Sequence, residues 1–168
     1  MTPADFHLLF EYNAWANHRV VEACRPLASD QFTRDLGSSF ASIRDTLAHI
    51  FAAEQIWLSR WRSQSPAAMP AAATQDLASL SAGFARVDPE ILAYVSGLAP
   101  TDLERVLEYR NLSGKPMAEP LWQTLQHLGN HGTYHRGQVI TMLRQLGAKA
   151  VQTDLILFYR ERAKSAAA

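Results

Sequence analysis

Apolar residues recur along this chain with the period of a helix in four long stretches. Phe6, Phe10, Val20 and Cys24 share one side of a wheel drawn at 100° per residue. They predict a first helix from about Asp5 to Cys24, stopping before Pro26. Asn13 and Asn17 interrupt that stripe, so their amides are expected to be buried and to bond between helices. Residues 25–41 read as a long connection with Ala28-Ser29-Asp30 and Gly37-Ser38-Ser39 turn chemistry. A second helix opens at Ser42, with Asp45 completing a capping box, and runs to about Arg62. Pro66 and Pro70 read as its stops, inside an Ala-rich linker. A third helix covers about Asp76 to Gly97.

The period then changes. Val106, Leu107 and Tyr109, followed by Ser113-Gly114 and Lys115-Pro116, predict a short hairpin or an irregular excursion. Two strands alone are marginal, so this segment has to lean on the helices. Pro120 suits the first position of a fourth helix, which runs to about Leu146 and ends at Gly147. A last short helix follows, with Thr153 as its cap, and the closing residues read as a frayed tail. Four long helices of this kind imply an all-α chain, a four-helix bundle with a short C-terminal helix. Two of the three connections are long, so simple up-and-down order is not required.

Length and charge narrow the picture. The 168 residues suggest one domain spanning 1–168. Sixteen Lys and Arg balance sixteen Asp and Glu, which argues against a nucleic-acid partner. No targeting segment or bilayer-length apolar run is visible. The single cysteine, Cys24, forbids an internal disulfide and fits a reducing cytoplasm. It reads as core packing.

The candidate chemistry lies in the fourth helix. His127, His131 and His135 follow one another at intervals of four. His135 falls within the apolar arc of Leu121, Leu128, Val139, Met142 and Leu146. His131 lies about 40° beyond it, and His127 about 40° further, toward the polar face. His127 and His135 are about 12 Å apart along the axis, too far for one ion with zinc–nitrogen bonds of about 2 Å. A chelating pair is therefore 127/131 or 131/135, and the wheel favours the second. A third ligand has to come from elsewhere, and His49 is the candidate. It borders the apolar arc of Ile43, Ala53, Ile56 and Trp57. The competing explanation is a set of hydrogen-bonded core histidines. His7 and His18 read as solvent-facing.

These residues carry a family resemblance. The stretch "NHGTYHRGQV" closely resembles the HxxxHRGQ signature of the DinB/YfiT-like superfamily. "SIRDTLAHIFAAEQIWLSRW" is similar to that family's second-helix motif, "YNAWANHRVVEA" to its first and "TDLILFYRER" to its last. The resemblance implies a bundle whose order is not simple up-and-down, often dimeric. It also implies a divalent metal, zinc or nickel, on His49, His131 and His135. Characterised relatives include enzymes that use a low-molecular-weight thiol. A metal-dependent thiol transferase is thus the first functional expectation, with the metal activating the thiol for attack on an electrophile.

A hydrolase using metal-activated water is the second expectation, and it needs a general base. Glu54 is the only acid in the middle of its helix and lies on a different face from His49. A non-catalytic, metal-binding or stress-sensing bundle is the third. Structural zinc sites are usually closed by four protein ligands, which three histidines do not provide. Around the pair, Gln138 and Tyr134 are candidates to contact a ligand or the histidines. Arg136 points away and is expected in an ion pair or a dimer contact. Gly132 and Gly137 cost helix propensity, which close helix approach would explain. Trp15, Trp57, Trp61 and Trp122 are expected as core or interface anchors.

Overall fold

A computed structural model describes residues 1–68 and 76–166, with no account of the Ala166 side chain. Helix α1 spans Pro3–Cys24, a short α2 spans Ser29–Thr33, α3 spans Ile43–Trp61 and α4 spans Leu77–Ser96. A 3₁₀ turn over Pro100–Glu104 leads into strands β1 (Val106–Arg110) and β2 (Pro116–Pro120). Helices α5 (Leu121–Gln145) and α6 (Leu155–Ala166) complete the chain. The linker residues 69–75, with Pro70, lie outside the described residues, as do 167 and 168 at the tail.

The helices begin and end where local chemistry satisfies their free backbone groups. Thr2 and Asp5 form a reciprocal capping box, which starts α1 two residues before the sequence suggested. Ser42 accepts from the Asp45 amide, but its hydroxyl bonds the Asp45 carboxylate, so the expected box is only half formed. Asp76 caps α4 through the Ser79 amide. Helix α3 stops before Pro66 is reached, because Ser63 turns left-handed at φ 63°. Gly147, at φ +69°, closes α5 as expected, and the Ala148 amide donates to the Leu143 carbonyl.

Three boundary expectations are corrected. Pro120 is the residue before α5 and ends β2, so Leu121 takes the first helical position. Thr153 is not the cap of α6: amides of Leu157 and Phe158 bond the Asp154 carbonyl, while the Thr153 carbonyl accepts from the Tyr12 hydroxyl. The presumed tail is helical through Ala166.

The four long helices close a ring in the order α1, α4, α3, α5. Helices α1 and α3 are therefore diagonal, and so are α4 and α5. The bundle is not of simple up-and-down order, and residues 25–41 carry the chain between diagonal positions. Phe6, Ile43, Leu80 and Leu121, one from each helix, are fully buried in a common core. The antiparallel hairpin pairs Val106 with Pro120 and Arg110 with Pro116. Its turn is organised by the Asn111 side chain, whose Oδ1 accepts from the Ser113 and Lys115 amides. The hairpin leans on the helices as expected: Leu107 enters the core, and Tyr109 meets Trp57 edge-to-face at 5.3 Å.

Candidate metal centre

The bundle centre is polar, and all four long helices contribute to it. Arg136 of α5 is fully buried. Its Nη1 donates to Asn13 Oδ1 at 2.6 Å and Asn17 Oδ1 at 2.8 Å. Both amides then donate from Nδ2 to Glu54 Oε1, each at 2.7 Å. A guanidinium only donates, so each amide must turn its oxygen to Arg136 and its nitrogen to Glu54. The two charges are thus joined through a pair of amides from α1. Burial raises the Glu54 carboxyl above its usual value, against the lowering pull of the two amides and Arg136. Asp88 of α4 is raised too, first by burial and then by the Glu54 charge. The sequence anticipated the inter-helix role of Asn13 and Asn17. Arg136 makes no dimer contact, because its side chain is enclosed within its own chain.

That network fixes α5 against α1, and Gly132 makes the approach possible. A Cβ there would sit 2.6 Å from Asn13 Oδ1 and 2.7 Å from Arg136 Nη1. Gly137 has nothing within 4 Å, so the close-approach explanation fails for it. The same rigid helix carries His131 and His135 one turn apart toward α3, where His49 meets them.

The three imidazoles form a cluster whose candidate ligand atoms lie within 4.8 Å of one another. His49 Nε2 and His131 Nε2 are 2.9 Å apart. Two nitrogens sharing a tetrahedral ion at bonds of 2.0–2.1 Å would be about 3.3 Å apart, so a small outward shift accommodates one. His135 stacks edge-on against both, at 4.6 and 4.4 Å between ring centres. Its Nδ1 lies 2.7 Å from Gln138 Oε1, while Gln138 Nε2 donates to Ser39 Oγ at 3.0 Å. An amide oxygen can only accept, so His135 Nδ1 carries a proton, and Nε2 is the nitrogen left to meet an ion. His131 Nδ1 is buried without a partner.

The cluster has the electronic state a cation needs. Burial, reinforced by the neighbouring His135, lowers His49 to about 4. Burial and the other histidines lower His131 to about 3. Both rings are neutral at pH 7, with lone pairs free to coordinate. The donor set therefore fits a divalent ion. Among the described residues no carboxylate joins the cluster.

The other candidates fall in separate places. His127 is exposed and contacts Trp57 at 5.4 Å and His131 at 5.7 Å, outside the cluster. Tyr134 is 61% exposed with its ring against His135, on the outer side of the helix. Glu54 is tied into the Arg136 network and is not presented to the histidines. Cys24 is fully buried in the core, and burial pushes its thiol up to about 12. His18 is exposed and His7 partly so, each beside a glutamate one turn on. Trp61 is a core residue, whereas Trp15, Trp57 and Trp122 are half-buried.

Sequence reasoning missed Phe40. Its ring stacks on His49 at 4.1 Å and meets His135 at 5.4 Å. Together with Ser39 it closes one side of the cluster. The only sequence signal was an aromatic residue at the end of a turn-rich segment, just before the Ser42 cap.

A helical bundle that gathers three histidines from two helices, their ligand atoms within 4.8 Å of one another, defines the class: a small all-α protein with a candidate metal centre. The chain belongs to the DinB family, which it matches over residues 1–165. It is 28% identical over 158 residues to Protein DinB of Bacillus subtilis strain 168, covering 89% of this chain and 91% of that one. Its fold resembles a DinB-like protein from Bacillus cereus ATCC 10987, with a TM-score of 0.68 at 19% identity over 88% and 94% of the two chains. A DinB-like protein from Bacillus subtilis gives a TM-score of 0.62 at 12% identity over 86% and 94%. Among the described residues, no helix is long and apolar enough to cross a membrane.

Proposed function

We propose that this chain is a metal-dependent thiol transferase, acting as one domain of 168 residues in the cytoplasm and as a homodimer. The observation that carries the reading is the donor set: three imidazoles with ligand atoms within 4.8 Å of one another, joined by no carboxylate among the described residues. His49, His131 and His135 are the ligands, and zinc or nickel suits their chemistry. When bound, the ion keeps its full positive charge among neutral ligands and favours the thiolate form of a low-molecular-weight thiol.

The chain's own residues prepare that site. Gln138 holds His135 in the tautomer that leaves Nε2 free. Phe40 covers the outer faces of His49 and His135 and limits water on that side. Arg136 and the α1 amides lock α5 in register, so the histidine pair is presented without rearrangement. The thiol proton leaves to solvent, the sulfur bonds an electrophilic carbon, and the displaced electron pair departs with the leaving group. Hydrolysis is less well supported, because Glu54 is engaged by two amides and no carboxylate among the described residues joins the cluster.

The test is metal content followed by thiol consumption. Purified protein is expected to carry about one divalent ion per chain, and His49→Ala, His131→Ala and His135→Ala to lose it. His127→Ala is expected to retain it. With a generic electrophile, metal-loaded protein should consume thiol, and the metal-free form should not. Retention of the ion by all three variants would remove the ligand assignment.

A further inference from the structure

Arg60 of α3 is only 6% exposed, yet its guanidinium makes no hydrogen bond to any described residue. Its Nε is buried without a partner. Its charge centre packs over the Trp57 ring at 4.7 Å and the Tyr109 ring at 4.5 Å. Aromatic rings satisfy the faces of a guanidinium. They leave its in-plane N–H groups unused, and those groups are shaped to grip a carboxylate in parallel. A buried Nε without an acceptor is costly, and no side chain among the described residues supplies one to the guanidinium. Glu119 lies nearby and adds a favourable charge, but no ion pair forms. Arg62, two residues on, is the contrast: it is well exposed and pairs with Glu90 at 2.7 Å.

Beside Arg60 lies a pocket of about 390 Å³, lined by Trp57, Tyr109, Glu119, Gln123, Thr124 and His127. Both rings that the guanidinium packs over belong to its wall. His127 belongs to it as well, and that ring lies 5.7 Å from His131. The wall thus runs from the two rings that the guanidinium packs over to His127, the wall residue next to the histidine cluster. The volume suits the body of a small molecule with one end at the histidines.

We propose that this pocket holds the body of the ligand that reaches the histidine cluster, and that Arg60 anchors it by a carboxylate. The ligand is thus a small organic acid with an apolar or thiol-bearing body. The identity of the end at the histidines rests on the metal and thiol reading; the carboxylate anchor does not. Arg60 is a binding residue that selects the ligand, and it takes no part in bond making. The carboxylate belongs either to the thiol or to its co-substrate, and the two sources separate by experiment.

Two ligand pairs are titrated by calorimetry into protein with and without zinc. One pair is β-mercaptopropionate and its methyl ester, and the other is phenylpropionate and its methyl ester. The acid is expected to bind more tightly than its ester by at least roughly tenfold, about the worth of one charge-assisted hydrogen bond. Arg60→Met should erase that difference and leave ester binding and zinc content unchanged. Preference within the thiol pair, seen only with zinc, places the carboxylate on the thiol. Preference within the phenylpropionate pair, with or without zinc, places it on the co-substrate. Acid preference in protein that takes up no zinc would sink the metal reading and leave the anchor standing. Equal binding of acid and ester in both pairs would overturn the anchor, and so would a preference that survives in Arg60→Met. Arg60→Lys, which keeps the charge but lacks the planar fork, should lose most of the preference and serves if the Met variant does not fold.

Discussion

His135 and Gln138 share a hydrogen bond of 2.7 Å within a single turn of α5, and it fixes which ring nitrogen faces the other two histidines. Gln138 is itself held by Ser39 from the segment between α2 and α3. The orientation of His135 therefore depends on a residue that touches no other histidine of the cluster. Gln138→Leu is expected to weaken metal binding about 10–100-fold without abolishing it, in the range found for such supporting partners. Competition against a chromogenic chelator measures it. An unchanged affinity would mean that the ring is held by packing alone.

The buried network predicts a pH dependence of stability. Burial raises the Glu54 and Asp88 carboxyls above their usual 4.5 and 3.8. The folded state then keeps protons that the unfolded chain has released, so stability falls as pH rises through the raised values. His49 and His131 act in the opposite sense. Their lowered values make stability rise as pH climbs through about 6.5, where the unfolded imidazoles are half deprotonated, and the rise ends about one unit higher. The carboxyl effect is therefore isolated from about pH 7.5 to 8, where Asp88, raised to about 8, still holds a proton. Urea midpoints should decline across that window, and Glu54→Gln, which removes the charge that helps raise Asp88, should flatten the decline. A flat wild-type profile there would show Asp88 ionised in the fold.

Two glycines of α5 should respond oppositely to alanine. At Gly137 the new methyl meets open space, and the gain in helix propensity should stabilise by up to about 1 kcal/mol. At Gly132 it would collide with Asn13 and Arg136 and push apart the α1–α5 contact, so that variant should destabilise despite its propensity. Thermal unfolding of the pair is a direct comparison. Equal shifts would indicate that the helices separate at little cost.

Cys24 should behave as an inert side chain. It is fully buried, with its thiol pushed up to about 12 by burial. Native protein is expected to resist iodoacetamide at pH 8 and to react stoichiometrically once unfolded in urea. Fast labelling of the folded protein would give Cys24 a place in the chemistry that the structure does not provide.

Much of the site was legible because helices make geometry out of spacing. His131 and His135 have to share a face, and helical phase alone sets His127 apart. His49 was readable only as a histidine on an apolar border. Nothing in its own helix says which partner helix it meets. Asn13 and Asn17 announced a buried polar bond, yet Arg136 looked outward because helical phase alone does not reveal a helix packed on two sides. Phe40 and Ser39 were not legible as neighbours of the histidines and of Gln138. Their positions follow from how the connections fold back, which no periodic pattern encodes. Thr153 and Pro120 were misplaced by one residue for the same reason, since boundaries depend on which carbonyl finally accepts.

The diagonal placement of α1 and α3 has one more consequence. In a bundle whose successive helices are neighbours, a loop can be trimmed or lengthened with little harm to the interior. Here the stretch of residues 25–41 has to bridge opposite corners, and on arrival it delivers Ser39 and Phe40 against the histidines. Connectivity and cleft are one design: shortening that bridge would unroof the imidazoles even if every long helix kept its place.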